Sequence, residues 1–467
     1  MKLVLKYGGT SISSAKDIKN VCENINSLAN NNSVVVVCSA VEGVTDELLE
    51  MSKLIQRGNK KQVDHILFGI KRKHTQLGDS LVTNSQLKQN FTKNLNQVTA
   101  ELEELVHGLI LLGEVTPRSL DYLISFGERL SIVIISYTLQ EYKRKSSVLT
   151  GKDAGIITDS NFGESRPLMD TTSIRVSKNI NRLLAQKTIP IVGGFAGADQ
   201  HGNITTFGRG GSDYTATIIA SSINADEIWL MSDVDGLMTA DPKLVKNSKL
   251  LKEVSYTEAI EMAQFGAKQI HPKTFEPLLA KKIPMRIRSS FQIKNKGTLV
   301  TASPSAEIKK TVKCVAAIRK IGLIDLSGGI LFAAPGSAAK IFTTLAEKNV
   351  NVMMVSSNPS ESSISLIVKK TDLDKAVNCL EMNLLGKMVK EIKTTPNVSI
   401  IAVIGSGMKG TVGIASKVFG AASKKGVNVM MIAQGSSELN LAFVVKDSDS
   451  KLIVQSLHDE FQLSKIN

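Results

Sequence analysis

The chain has 467 residues, too many for one ordinary core, so two or three domains are expected. Hydrophobic residues at 42% and charged residues at 21% are those of a folded globular protein, while 4% aromatics with a single Trp argue against a base-stacking platform for nucleic acid. The net charge of +14 comes from scattered lysines without a long basic run, which reads as a solvated basic surface or one suited to anionic small substrates, with no nucleic-acid partner.

The N-terminal MKLVLKYGG is a short strand running into glycines, too short in its apolar run for a signal peptide. No apolar run approaches the roughly 18–20 residues of a membrane span, so no membrane partner is expected. Cys22, Cys38, Cys314 and Cys379 are far apart and form no CxxC pair, which points away from metal or disulfide use and fits a cytoplasmic protein. Residues 2–7 and 34–38 are continuously apolar, as buried parallel strands are. Helical patterns follow at 14–29 and 44–56, and 60–113 reads as a helical excursion. Further strands are expected at 146–150, 188–193 and 226–231. Strands alternating with helices predict an α/β domain with a mostly parallel sheet, ending near residue 302 at the linker-like TASPSAE.

Three glycine-rich loops each follow a predicted strand. Lys6-Tyr-Gly8-Gly9-Thr-Ser is either a tight βα turn or a loop whose backbone N–H groups approach phosphate, with Lys6 beside it to neutralise charge on a transferring phosphoryl group. Gly193-Gly194-Phe195-Ala-Gly197 is the second. The third, Gly208-Arg209-Gly210-Gly211-Ser212-Asp213, packs an Arg, a backbone nest and a carboxylate at a helix start. Arg209 suits a bidentate carboxylate and Asp213 suits an ammonium, so together they describe a site for an amino acid. The plainer alternative is that Ser212 or Asp213 caps the helix, which needs no GRGG before it. Neither a Walker A loop nor protein-kinase signatures occur, so phosphate handling belongs to another nucleotide fold.

The C-terminal third repeats itself. The stretch from Gly336 (GSAAKIFTTLAEKNVNVMM) aligns without a gap to that from Gly413 (GIASKVFGAASKKGVNVMM), at an offset of 77 residues. Each copy reads strand, helix, strand, strand, helix. The first has a closing strand available at 387–393, whereas the second ends on its helix. The apolar 312–319 is the simplest candidate to complete the second sheet, which makes the first copy an insertion in the second. The Gly405-Ser-Gly407-Met-Lys-Gly410 loop has the outline of a dinucleotide fingerprint. The chain has only 62 residues after Gly405, the first copy keeps one matching glycine, and the acidic residue after the next strand is missing; the loop reads as a strand-to-helix turn.

KYGGTS at 6–11, SAVEGVTD at 39–46, SFGERLS at 125–131, GGFAG at 193–197, TTFGRGGSDYTA at 205–216, SDVDGLMTADPK at 232–243, FGAKQIHP at 265–272 and QGSSELNLAFVV at 434–445 together resemble the aspartokinases of the amino-acid-kinase superfamily, in the family's motif order. The resemblance implies an α/β fold class: a three-layer α/β/α kinase domain with a mainly parallel sheet over 1–302, then two α+β ACT domains of ferredoxin-like βαββαβ form. The first ACT domain would cover 321–393, inserted in the second at 308–320 plus 397–467. It implies phosphorylation of the L-aspartate β-carboxylate by ATP, with Mg²⁺ entering with the nucleotide, as the first step towards lysine, threonine and methionine.

By the same resemblance Lys6 and Asp213 are catalytic, and Thr45, Glu128, Phe195, Arg209, Ser212 and Asp213 bind aspartate. Lys6, Gly8, Gly9, Ser232, Asp233, Met238, Lys243 and Lys268 meet ATP, and no residue is a dedicated metal ligand. Glu128 has an alternative reading as a surface residue of an amphipathic helix. Tyr7, Ser232, Met238 and Lys243 replace the family's usual Phe, Thr, Tyr and Arg. Paired ACT domains imply a homodimer or larger assembly and a threonine or lysine effector, with Met354, Ser357, Gln434 and Glu438 as its contacts. A kinase for glutamate, acetylglutamate or UMP is disfavoured by SFGERLS and the ACT pair. A fused homoserine dehydrogenase is not expected, because the chain stops about where one would begin. A non-catalytic amino-acid sensor is disfavoured by intact Lys6, Glu128, Arg209 and Asp213.

Overall fold

The computed structural model describes residues 1–266, 270–292, 295–302, 304, 311–328, 336–358 and 363–466. Two compact units emerge. The first comprises Met1–Gly236, Lys252–Tyr256 and Gln269–Ser303; the second comprises Leu237–Leu251, Thr257–Lys268 and Pro304–Asn467. The segments at 237–251 and 257–266, expected within a 1–302 domain, thus belong to the second unit.

The strands of the first unit are β1 (Lys2–Tyr7), β2 (Ser33–Cys38), β3 (Ser146–Leu149), β4 (Ile157–Thr158), β5 (Ile189–Gly193), β6 (Ala196–Asp199), β7 (Ile204–Thr206), β8 (Glu227–Ser232), β9 (Glu253–Ser255), β10 (Met285–Ser289) and β11 (Thr298–Thr301). Eight form one sheet in the order β3-β5-β2-β1-β8-β10-β11-β9, parallel throughout except at β10–β11. The valines of β2 and leucines of β1 are buried because helices cover both faces, which is why these strands read as unbroken apolar runs. β4, β6 and β7 form a separate three-stranded sheet that the periodicity did not announce.

The helices begin on residues that satisfy their free N–H groups. Ser14 accepts from Asp17 N–H before Ala15–Leu28, Asn84 caps Ser85–Leu112, and Thr116 caps Pro117–Glu141, with Pro at the first helical position. The last of these helices corrects two expectations. By length and composition it is apolar enough to cross a membrane, although 83% of its most apolar stretch is buried inside the protein. And Glu128, midway along it, is buried rather than part of a surface.

The second unit carries β12 (Cys314–Ser327), β13 (Val352–Asn358), β14 (Ser363–Lys369), β15 (Glu391–Ile404), β16 (Met431–Ala433) and β17 (Asn440–Lys446), in the order β13-β14-β12-β15-β17-β16. The 77-residue repeat carries β12 onto β15, β14 onto β17 and helix Ser337–Glu347 onto Ile414–Lys424. It also carries the left-handed residues Lys320 and Gly336 onto Asn397 and Gly413. Both fourteen-residue strands serve both copies: Ile321–Ser327 pairs with the start of β15 and with β14, while Cys314–Ile318 pairs with the end of β15. The register shifts where the strand passes from one copy to the other, at Ile318–Gly322.

Candidate active site

Four parallel strands end level with one another. Tyr7 stands beside Cys38 and Met231, and Cys38 beside Gly193. The loops that leave these ends therefore crowd together at the C-terminal edge of the sheet, where open α/β sheets bind ligands. They are Gly8-Gly9, Ser39-Ala40, Gly194-Phe195 and Ser232-Asp233. Tyr7 itself is fully buried; its hydroxyl accepts from Asn24 Nδ2 at 3.2 Å, so the oxygen added relative to Phe has a partner.

Lys6, Gly8, Asp213, Ser232 and Asp233 line one cleft of about 300 Å³, together with Thr10, Ile270 and Ile287. Lys6 Nζ lies 2.6 Å from Asp213 Oδ1, both side chains nearly buried. Asp213 sits in the first turn of helix Gly211–Ser222, where the helix dipole favours a carboxylate. Ser11 donates to Ser290 Oγ at 2.9 Å, and Ser290 Oγ donates to the Ser232 carbonyl at 3.0 Å, tying the loop after β1 to the loop after β8. Gly9 is needed for close packing: a Cβ there would stand 3.0 Å from the Ala40 carbonyl.

Glu128 faces a second, larger cavity of about 540 Å³, lined also by Gly193, Gly194, Ser125, Arg118 and Arg129. Its Oε2 is buried without a hydrogen-bond partner among the described residues. Burial pushes its pKa up to about 8, against the pull of the Ala40 N–H and the Lys6 charge. A buried carboxyl with a free oxygen facing a cavity is prepared for a cationic group.

The rest of the expected aspartate set lines neither of these two cavities. Thr45 opens helix Val44–Gln56; its Oγ1 lies 3.7 Å from where a Cβ on Gly127 would stand. Phe195 holds a left-handed φ of 73°, a strained state for a bulky residue, fixed by its N–H donating to Thr215 Oγ1 and its carbonyl accepting from Phe207 N–H. Gly194 packs so closely on Ser212 that a Cβ would meet Ser212 Cβ at 2.7 Å. Arg209 is exposed and makes no ion pair among the described residues; burial, Lys273 and the Arg209 charge all lower the pKa of the neighbouring His271.

Of the remaining expected nucleotide contacts, half-buried Met238 and exposed Lys243 stand on the segment 237–251 of the second unit, and Lys268 lies outside the described residues. The expected effector residues fall on one strand and in the segment between β16 and β17 of that unit. Met354 is buried and Ser357 exposed on β13, and Gln434 is exposed beyond β16. Glu438 accepts from Gly410 N–H at 2.7 Å.

Sequence reasoning missed Asp121, which grips Thr206 from the same helix as Glu128; its spacing of seven residues from Glu128 was the available signal. The Gly405–Gly410 loop is bound by the protein's own carboxylates. Ser406 donates its N–H (2.9 Å) and hydroxyl (2.6 Å) to Glu258 Oε1, whose other oxygen takes a buried bond from Lys313 Nζ at 2.9 Å. A Cβ on Gly405 would strike the Thr311 carbonyl at 2.3 Å. Gly405 thus serves packing, while Gly410 holds a left-handed turn at φ 68°.

An amino acid kinase family model matches residues 1–289, and an ACT domain model matches 324–384 and 401–461. The chain is 31% identical over 469 residues to Aspartokinase 2, chloroplastic, of Arabidopsis thaliana, covering 98% of this chain and 84% of that one. It spans about half the length (51%) of the bifunctional aspartokinase/homoserine dehydrogenase 2 of the same plant, at 30% identity. Among solved structures it resembles E. coli aspartokinase III in complex with aspartate and ADP (R-state), with a TM-score of 0.81 at 27% identity, covering 98% of this chain and 99% of that one. The form in complex with lysine and aspartate (T-state) gives 0.83 at the same identity and coverage.

Proposed function

The chain belongs to the aspartokinases of the amino acid kinase family, and on that premise we propose how its residues transfer the γ-phosphoryl group of ATP to the β-carboxylate of L-aspartate. A carboxylate is already ionised at pH 7, so the nucleophile needs no general base. An oxygen of the β-carboxylate bonds to the γ-phosphorus as the bond to the β–γ bridging oxygen breaks, and that electron pair leaves on ADP. The work left to the protein is alignment and neutralisation of charge.

The observation that carries this reading is Lys6 held 2.6 Å from Asp213 in a cleft that Gly8, Ser232 and Asp233 share. Lys6 supplies the positive charge at the transferring group, and Asp213 aims it. Asp213 by itself would suit an ammonium, but its carboxylate is occupied by Lys6, so we assign the substrate ammonium to Glu128 and the α-carboxylate to Arg209. Thr45, Phe195 and Ser212 shape the space between. Gly8 and Gly9 offer backbone donors to phosphate. Mg²⁺ would enter with ATP, held chiefly by phosphate oxygens, and the Asp233 carboxylate at the cleft would share it.

The second unit is proposed to bind an end-product amino acid and to join subunits through its sheet. The two ACT matches support this, and lysine is the first effector to try because a related enzyme is solved with it. Four free, buried cysteines suit a reducing, cytoplasmic setting. The test is ADP release from Mg-ATP with L-aspartate, repeated with L-glutamate and then with lysine or threonine added. Aspartate-dependent release is expected. No release, with lysine or threonine still bound, would overturn the kinase reading in favour of an amino-acid sensor.

A further inference from the structure

Asp121 lies seven residues before Glu128, two turns away on the same face of helix Pro117–Glu141. It is 1% exposed, and it has no cationic partner among the described residues. Its carboxylate is filled by one short segment of chain and one loop. Oδ2 accepts from Thr206 N–H at 2.8 Å and from Gly163 N–H at 2.9 Å; Oδ1 accepts from the Thr206 hydroxyl at 2.7 Å.

Thr206 ends β7, and Phe207-Gly208-Arg209 follow it directly. The Thr206 carbonyl accepts from both the N–H and the hydroxyl of Ser165 at 2.9 Å. Phe207 N–H donates to the Phe195 carbonyl at 2.9 Å. Gly208 adopts φ +69°, with room for no more than its hydrogen beside the Gly163 carbonyl, 3.0 Å from where a Cβ would be. From Thr206 to Gly208 the backbone is therefore held in place, and Arg209 is the first residue released to solvent.

We propose that Asp121 is a positioning residue for substrate selection: by gripping Thr206 from the helix that carries Glu128, it sets the distance between the carboxylate site at Arg209 and the ammonium site at Glu128. One rigid helix then measures both ends of an α-amino acid. This rests on the assignment of Arg209 and Glu128 to those two ends.

Steady-state kinetics of Asp121→Ala, Asp121→Asn, Thr206→Val, Arg209→Ala and the Asp121→Ala/Arg209→Ala double variant test it. Asp121→Ala is expected to raise KM for aspartate about 10- to 100-fold, the usual cost of a misplaced binding group, while KM for ATP stays within about twofold. Asn keeps an oxygen for both N–H groups and gives its amide to the Thr206 hydroxyl, so Asp121→Asn should restore KM to within about threefold. Thr206→Val removes the side-chain arm alone and should raise KM for aspartate by about three- to tenfold. The double variant should be no worse for aspartate than Arg209→Ala, because Asp121 acts through that loop. A normal aspartate KM in Asp121→Ala, or effects that multiply in the double variant, overturns the inference. An unchanged aspartate KM in Arg209→Ala instead sinks the assignment of Arg209. If Asp121→Ala does not fold, Thr206→Val and its double with Arg209→Ala carry the same comparison.

Discussion

Glu128 ties the proposed chemistry to pH most directly. Burial holds its carboxyl protonated up to about pH 8, while aspartate's ammonium needs it ionised. Below that pH, aspartate binding must expel a proton. Aspartate keeps the same charges across pH 6 to 8, so its affinity should rise about tenfold from pH 6 to 7 and about 50-fold from pH 6 to 8, then level off above. At pH 7 a group titrating near 8 is roughly nine-tenths protonated, so about 0.9 proton should be released per aspartate bound. Calorimetric titration in two buffers of different ionisation enthalpy reads this number. Glu128→Gln keeps the shape and cannot ionise; it should abolish the release, flatten the pH dependence and weaken binding above pH 8 by about 10- to 100-fold, the loss of a charged hydrogen bond. Stability should respond with the opposite slope. The unfolded carboxyl ionises near 4.5 and the folded one near 8. Between those values the folded chain holds the extra proton. Stability therefore falls by up to about 1.4 kcal/mol per pH unit across that window and is level above it. No proton release at pH 7, or an unchanged pH profile in Glu128→Gln, would refute the assignment.

Lys6→Ala should cut kcat about 10²–10³-fold while the protein stays folded, as loss of one transition-state charge partner does; coupled detection of ADP measures it. Gly194→Ala forces Ser212 and the start of the helix bearing Asp213 to move, because the new Cβ would stand 2.7 Å from Ser212 Cβ. About 1–3 kcal/mol of stability and a larger share of kcat/KM should be lost, read by denaturant titration beside kinetics. Lys313→Ala takes the cation from the Glu258 carboxylate, which is 0% exposed and keeps the neutral donors of Ser406. It should destabilise the second unit by about 3–5 kcal/mol, whereas Lys313→Met with Glu258→Gln should recover much of that; equal losses in both variants would refute the pairing.

Much of this was legible in the chain. Continuous apolar runs at 2–7 and 34–38 announce buried parallel strands, since only strands covered on both faces dispense with alternation. The gap-free repeat announces two copies of one unit, and its offset of 77 residues reappears strand for strand. Lys6, Gly8 and Asp213 of the cleft were nameable from glycine-rich loops, because a backbone that approaches phosphate closely excludes side chains, whereas Ser232 and Asp233 came only from the family resemblance. What the residues could not say is which charges find each other. Asp213 suits an ammonium by its chemistry, and only the packing of helix Gly211–Ser222 against β1 gives it to Lys6. Glu128 fits the polar face of an amphipathic helix equally well until the helix is seen buried on every side, and that burial alone moves its titration. The glycine loop at 405–410 keeps the outline of a dinucleotide site, and Glu258, 148 residues before Ser406, occupies the Ser406 donors, as Glu438 does the Gly410 N–H. Local sequence determined the strands, turns and repeat because those depend on near neighbours in the chain. The pairing of buried charges depends on partners far away in sequence, and the tertiary structure decided it.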